Sequence, residues 1–289
     1  NLITNSIMSL HKLLFLISLL LLLAVPARPA PMRCNAQDSL ALVALYNSTN
    51  GANWTFKTNW FTSYVCEWQG VKVVNNRVSE VNLSNNNLTG TLPAELGNLT
   101  MLSSLKLYSN AITGSIPPEI SKLVNLTTLY IHSNRLSGAI PPEMGQLTAL
   151  ADLQLYSNSL SGSIPPELGK LYNLTTLCLH YNQLTGTIPA ELGNITKLQY
   201  LYLNNNNLSG SIPAKLGQLT NLYLLLLNNN NLSGAIPSTL GSLVKLNYLY
   251  LHYNKLSEEI PEELGNLTSL NYLYLNNNAL RGTIPPSLG

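Results

Sequence analysis

"LTTLYIHSNRLSGAIP" (residues 126–141) carries the period of a half-buried strand, with Leu129 and Ile131 alternating with Thr128, Tyr130 and His132. The stretch then runs through Asn134, Leu136, Gly138 and Ile140-Pro141, and the whole pattern recurs. Its copies begin at Val78, Leu102, Leu126, Leu150, Leu174, Leu198, Leu222, Leu246 and Leu270, a period of 24 residues without one insertion. A fixed period of this size predicts a solenoid, in which each unit closes its apolar side only against its neighbours.

Stacking turns each position into a column, with adjacent strands about 4.8 Å apart. If the leucines point inward, the residues between them point outward, and three outward columns follow. The first reads Glu80, Ser104, Thr128, Asp152, Thr176, Tyr200, Leu224, Tyr248, Tyr272. The second reads Asn82, Lys106, Tyr130, Gln154, Cys178, Tyr202, Leu226, Tyr250, Tyr274, and the third Ser84, Tyr108, His132, Tyr156, His180, Asn204, Asn228, His252, Asn276. In repeats six to nine the first two columns hold only Tyr and Leu, edged by Asn and His. Stacked tyrosines alone suit a sheet. Leu224 and Leu226 facing outward among them do not, and a contiguous apolar patch of this kind marks a contact surface. The expected ligand-binding residues are therefore Tyr200, Tyr202, Leu224, Leu226, Tyr248, Tyr250, His252, Tyr272, Tyr274, Asn204, Asn228 and Asn276. A secondary, more polar set comprises Tyr108, Tyr130, His132, Tyr156 and His180.

The consensus L-x-x-L-x-L-x-x-N-x-L-x-G-x-I-P resembles the plant-type extracellular leucine-rich repeat family over residues 78–289. The resemblance implies a leucine-rich repeat solenoid, with a parallel concave β-sheet and short second strands and 3-10 turns on the convex side. It is similar to polygalacturonase-inhibiting proteins and to the ectodomains of receptor-like proteins and kinases. That implies a non-catalytic module, without cofactor, whose concave sheet holds an extracellular protein, peptide or glycan. The alternatives are a truncated ectodomain of a receptor-like kinase, and a binder of ice or polysaccharide surfaces.

Within the repeat, Asn86, Asn110, Asn134, Asn158 and their successors to Asn278 recur where the strand turns into a buried loop. There an amide can satisfy backbone groups otherwise left unpaired. The glycines of Gly90, Gly114 and Gly138 type allow backbone angles other residues resist. Glu258, in "LSEEIP", takes that place in repeat eight and is expected to strain or reshape its turn. The row of Glu95, Glu119, Glu143, Glu167 and Glu191 reads as a solvated face.

Outside the repeats the chain changes character. Met8 is the expected start, and "MSLHKLLFLISLLLLLAVPA" within residues 1–27 reads as upstream residues plus a secretory signal. Residues 28–77 read as an amino-terminal cap, with Asp38 capping a helix through "SLALVALY" and with Trp54, Phe56, Trp60 and Trp68 as packing. "CEWQGVKV" resembles the plant cap motif at Cys66, Trp68, Gly70 and Val71, departing from it at Val65 and Val73. "ALVALYNSTNGANW" looks more like caps of secreted bacterial, algal or protist repeat proteins. The ninth repeat stops at Gly289, twenty residues in, so the chain is expected to be a fragment; a membrane partner enters only through an anchor beyond it.

Composition excludes several functions. Charged residues are 10% of the chain and the net charge is +2, which gives nucleic acid nothing to neutralise against. Of the three cysteines, Cys34 and Cys66 can form one disulfide, leaving Cys178 free or intermolecular. His132 and His180 lie two strands apart, too far to share a metal. No acid orients a Cys178–His180 nucleophile, and no glycine loop opens a helix for phosphate. Asn-x-Ser/Thr acceptors occur at Asn47, Asn53, Asn82, Asn87, Asn98, Asn125, Asn173, Asn194, Asn207, Asn231 and Asn266. Within the repeats only Asn82 lies in an outward column, so glycans would leave the aromatic panel bare. The expected location is extracellular.

Overall fold

Strands of three residues every 24, each with one leucine between two outward side chains, build the long sheet. A computed structural model describes residues 35–288; the expected signal segment and Cys34 fall outside them. The long sheet has ten strands. Val71–Val74 and Arg77–Asn82 open it as an antiparallel pair with a bulge at Lys72/Val73. Every later strand, from Ser104–Lys106 to Tyr272–Tyr274, joins parallel and in register with the one before. Leu105, Leu129, Leu153, Leu177, Leu201, Leu225 and Leu249 are wholly buried on its inner side. Each buried leucine contributes about 1.5–3 kcal/mol relative to exposure, offset by the entropy of ordering the chain.

Behind the sheet, short second strands such as Ser159–Ser163 and Asn231–Gly234 pair parallel with their neighbours. One-turn 3-10 helices follow the Ile-Pro step, as at Pro118–Lys122 and Pro142–Gln146. Gly97 lies in the first such turn because its neighbour's backbone passes close by: a Cβ there would meet the Glu119 carbonyl oxygen at 2.4 Å. Gly90 and its successors hold φ between +72° and +89°. Glu258 replaces that glycine and keeps the same turn at φ +65°, so the residue is strained and the turn is not reshaped.

The asparagine ladder bonds adjacent repeats together. Asn158 Oδ1 accepts from the Leu136 amide (3.0 Å), while its Nδ2 donates to the carbonyls of Ile131 (3.1 Å), Leu155 (3.0 Å) and Tyr156 (3.4 Å). Asn110, Asn134, Asn182, Asn206, Asn230 and Asn254 bond in the same pattern. The preceding residue is left-handed each time, at φ from +52° to +55° for Ser109, Ser133, Ser157, Tyr181, Asn205, Asn229 and Tyr253.

The cap differs from expectation in two respects. Helix α1 spans Ala36–Ser48, and its amino-terminal cap is Asn35, whose side chain accepts from the Gln37 amide. Asp38 lies inside the helix, wholly buried. Its carboxylate takes both the Nε and Nη2 protons of Arg77 (3.0 Å each) and the Val78 amide (2.8 Å). Asp38 thus fastens the cap to the first long-sheet pair through a bidentate, charge-assisted contact. Trp54, Trp60 and Trp68 are buried as expected, each donating its indole N–H to a backbone carbonyl. Phe56, expected to pack with them, is instead half exposed, as are Phe61 and Tyr64. Cys66 forms no disulfide among the described residues, and its expected partner Cys34 lies outside them.

Replacing Asn158 by Ala strands the Leu136 amide and takes one donor from each of three carbonyls, which keep the Asn134 side chain, the Asn182 side chain and the Ser133 amide as partners; it is expected to destabilise the fold by about 1–3 kcal/mol. The same change at exposed Asn207 should stay within about 0.5 kcal/mol. Chemical-denaturation midpoints of the two variants decide the point. By the same measurement Glu258→Gly should stabilise by about 0.5–1 kcal/mol, because it restores the residue the turn needs.

Candidate ligand-binding surface on the long sheet

The register brings the expected columns together residue for residue. Tyr200 pairs with Leu224, Leu224 with Tyr248 and Tyr248 with Tyr272; Tyr202, Leu226, Tyr250 and Tyr274 pair likewise. Their side chains face outward: six are half-buried, and Tyr272 and Tyr274 are exposed. Tyr248 and Tyr272 stack at 4.7 Å with rings 3° apart, and Tyr250 and Tyr274 lie at 4.5 Å. The surface is a row of ring edges and hydroxyls interrupted by two leucines.

Tyr223 also belongs to this surface and was not among the expected residues. It contacts Tyr200 (5.9 Å) and Tyr248 (5.6 Å) edge-to-face, bridging the Leu224 gap. The signal was present one column over, where the other repeats carry Ser79, Ser103, Thr127, Ala151, Thr175, Gln199, Asn247 and Asn271. Tyr223 is the lone ring in that column.

The third column departs from its expected place as a polar edge. Asn204 and Asn228 are each only 7% exposed, and His132 8%. They sit at the strand exit, immediately before the left-handed residue that starts the closing turn. His180 and His252 are half-buried, and Asn276 is exposed. Beside them Tyr181 and Tyr253 are 56% and 54% exposed, in the left-handed region at φ +53° and +55°. That conformation costs an L-residue about 1–2 kcal/mol.

The secondary residues form a different structure. Tyr108, His132, Tyr156 and His180 stack in one continuous column, with centroids 4.7, 4.2 and 4.5 Å apart and rings within 10° of parallel. Tyr156 therefore separates the two histidines. Tyr130 stands beside the stack and donates its hydroxyl to Asp152, which also accepts from Gln154. Burial, and then that hydrogen bond, raise the Tyr130 phenol well above its usual range. Burial likewise lowers the imidazoles of His132 and His252, and takes His180 down to about 4, with His132 adding to the effect. The Cys178 thiol is pushed up to about 12 by burial and by the charge of Asp152, so it stays protonated. Among the described residues no three His, Cys, Asp or Glu side chains gather as a metal site would require.

Among the described residues no helix is long and apolar enough to cross a membrane. A family model described as "Leucine-rich repeat region" matches residues 81–188 and 180–284. No curated protein matches the chain significantly. Among solved structures, it is similar to the ectodomain of the Arabidopsis thaliana membrane receptor kinase GASSHO1/SCHENGEN3, in complex with CASPARIAN STRIP INTEGRITY FACTOR 2. That likeness has 37% identity and a TM-score of 0.82, over 87% of this chain and 31% of the receptor chain. The Arabidopsis receptor kinase HAESA, in complex with the peptide hormone IDA and the co-receptor SERK1, is 35% identical over 87% of this chain and 47% of its own, with a TM-score of 0.69. A plant ice-binding protein is 32% identical over 88% of this chain and 90% of its own, with a TM-score of 0.72. The chain thus spans about a third and just under half of the two receptor chains, and nearly all of the ice-binding protein.

The lowered imidazoles set a pH dependence with a definite sign. Below pH 6.5 the unfolded chain binds a proton at His180, while the folded chain binds it only near pH 4. The unfolded state then holds more protons, so stability falls as pH drops through this window. His180→Phe keeps a ring against Tyr156 and should flatten the fall in thermal midpoint between pH 6.5 and pH 4, measured against the parent chain.

Proposed function

Because this chain belongs to the leucine-rich repeat family, we propose that it is a secreted or cell-surface recognition module. It binds an extracellular protein, peptide or glycan on the outward face of its long sheet, without catalysis. The observation that carries this reading is the panel from Tyr200 to Tyr274, with Leu224 and Leu226 among tyrosines on an otherwise polar surface. Tyrosines of two rotatable torsions around an apolar centre supply contact area at low entropic cost. The GASSHO1/SCHENGEN3 and HAESA ectodomains, solved in complex with a named factor and with a peptide hormone, support ligand capture by this architecture. Tyr223 is added to the contact residues on its position alone.

A second reading is supported by the ice-binding protein, whose likeness spans nearly the whole of both chains. Against it stands the irregularity of the panel, since leucines, tyrosines and a histidine do not repeat from strand to strand as a lattice would require. Inhibition of ice recrystallisation by the purified chain separates the two readings directly.

Alanine at Tyr202, Leu226 and Tyr250 together tests the panel. Each lost cross-strand pair contributes about 0.2–1 kcal/mol, so the solenoid should still unfold cooperatively. Retention of apoplastic components by the immobilised chain should fall at least tenfold in the triple variant. Equal retention by variant and parent removes this face from the binding role.

A further inference from the structure

We propose that repeats five to eight hold a subsite for an uncharged, hydroxyl-rich chain such as a neutral oligosaccharide, laid across the strands between Tyr181 and Tyr253. The proposal rests on the long-sheet face being the binding face and names the class of ligand it takes. Its first support is a row of unsatisfied polar atoms. His180 Nδ1, Asn204 Oδ1, Asn228 Oδ1 and His252 Nδ1 are buried and have no hydrogen-bond partner among the described residues. They occupy one position in four consecutive repeats, so the row spans about 14 Å in steps of about 4.7–4.9 Å. Buried polar groups are ordinarily paired, and four orphans in line call for a cause. Each is shielded where it stands, and a half-turn about the terminal torsion, which is broad and two-fold for Asn and His, exchanges it with the other side of its amide or ring.

The second support is the bracket around that row. The tetrapeptide "LHYN" occurs twice, at 179–182 and 251–254, three repeats apart. In both copies the tyrosine is exposed and left-handed, and packs edge-on against its histidine at 5.5 Å. The two repeats between them carry Asn205 and Asn229 at the same place. Two exposed rings held in an unfavourable conformation at matching ends of the orphan row have the character of a functional site.

Chemistry selects the ligand. The three outward columns of repeats five to nine contain no Lys, Arg, Asp or Glu, so a charged ligand would find no counter-charge there. A hydroxyl can donate to an amide oxygen and can either donate to or accept from an imidazole nitrogen, so one group type serves the whole row. An extended peptide crossing the strands offers same-side N–H groups every second residue, about 6.6–6.8 Å, and falls out of step after one repeat. A chain with several hydroxyls per unit stays within reach of each position.

The test is calorimetric titration of the full chain with cellohexaose, xylohexaose and mannohexaose, beside hexagalacturonic acid and an uncharged Ser/Thr/Gly hexapeptide. At least one neutral hexasaccharide should bind, and the paired change Asn204→Leu with Asn228→Leu should weaken it at least tenfold. The thermal midpoint should hold or rise, since removing unsatisfied groups does not destabilise. A second pair, Tyr181→Asn with Tyr253→Asn, relieves the backbone and should raise the midpoint while weakening binding at least fivefold. If none of the three neutral sugars binds, if neither pair alters their affinity, or if the peptide alone shows this dependence, the proposed ligand class is wrong. In that event a loss of capture by the Tyr202/Leu226/Tyr250 variant would still uphold the face itself.

Discussion

A chain that turns inward after every three-residue strand must bury backbone groups that no neighbouring strand can reach. The asparagine ladder meets this demand. One carboxamide spans two repeats, accepting an amide from the unit before and donating to carbonyls of both. The left-handed residue ahead of it gives the turn its direction. Because the bonds run between repeats, they fix spacing and register as well as satisfying the turn. Without that register the outward residues would not align, and the tyrosines would be scattered rings with no shared surface.

This explains why the solenoid was legible in the residues and where reading stopped. Period-two alternation and the 24-residue repeat determine which side chains face outward, and parallel in-register pairing places Tyr200, Leu224, Tyr248 and Tyr272 side by side. The depth of each side chain depends on packing and is not written in the alternation. Asn204 and Asn228 alternate outward like their tyrosine neighbours, yet the closing turn buries them. Tyr223 lies outside the strand pattern and joins the surface only through ring contacts with Tyr200 and Tyr248. Asp38 shows the same limit at the cap, where its place before a helix suggested a local partner. Its actual partner, Arg77, is 39 residues away.

Two surfaces share one sheet and differ in how their rings are used. In the amino-terminal half the faces of Tyr108, His132, Tyr156 and His180 are consumed by one another, and Tyr130 is tied to Asp152. Their ring faces are therefore already covered. From Tyr200 onward the rings are interrupted by leucine and accompanied by polar atoms without partners. That division lies along the axis of the stack, and the joint is His180, which ends the ring column and begins the orphan row.

The uniform repeat length has a further consequence. Since a unit touches only those before and after it, duplication of one 24-residue unit between the two "LHYN" copies would move them apart by one strand spacing and change nothing else. The molecule is in this sense a ruler with two marks. Recombination between near-identical units would shift those marks in whole steps, so related chains can come to measure ligands of different length while keeping the same chemistry at each division.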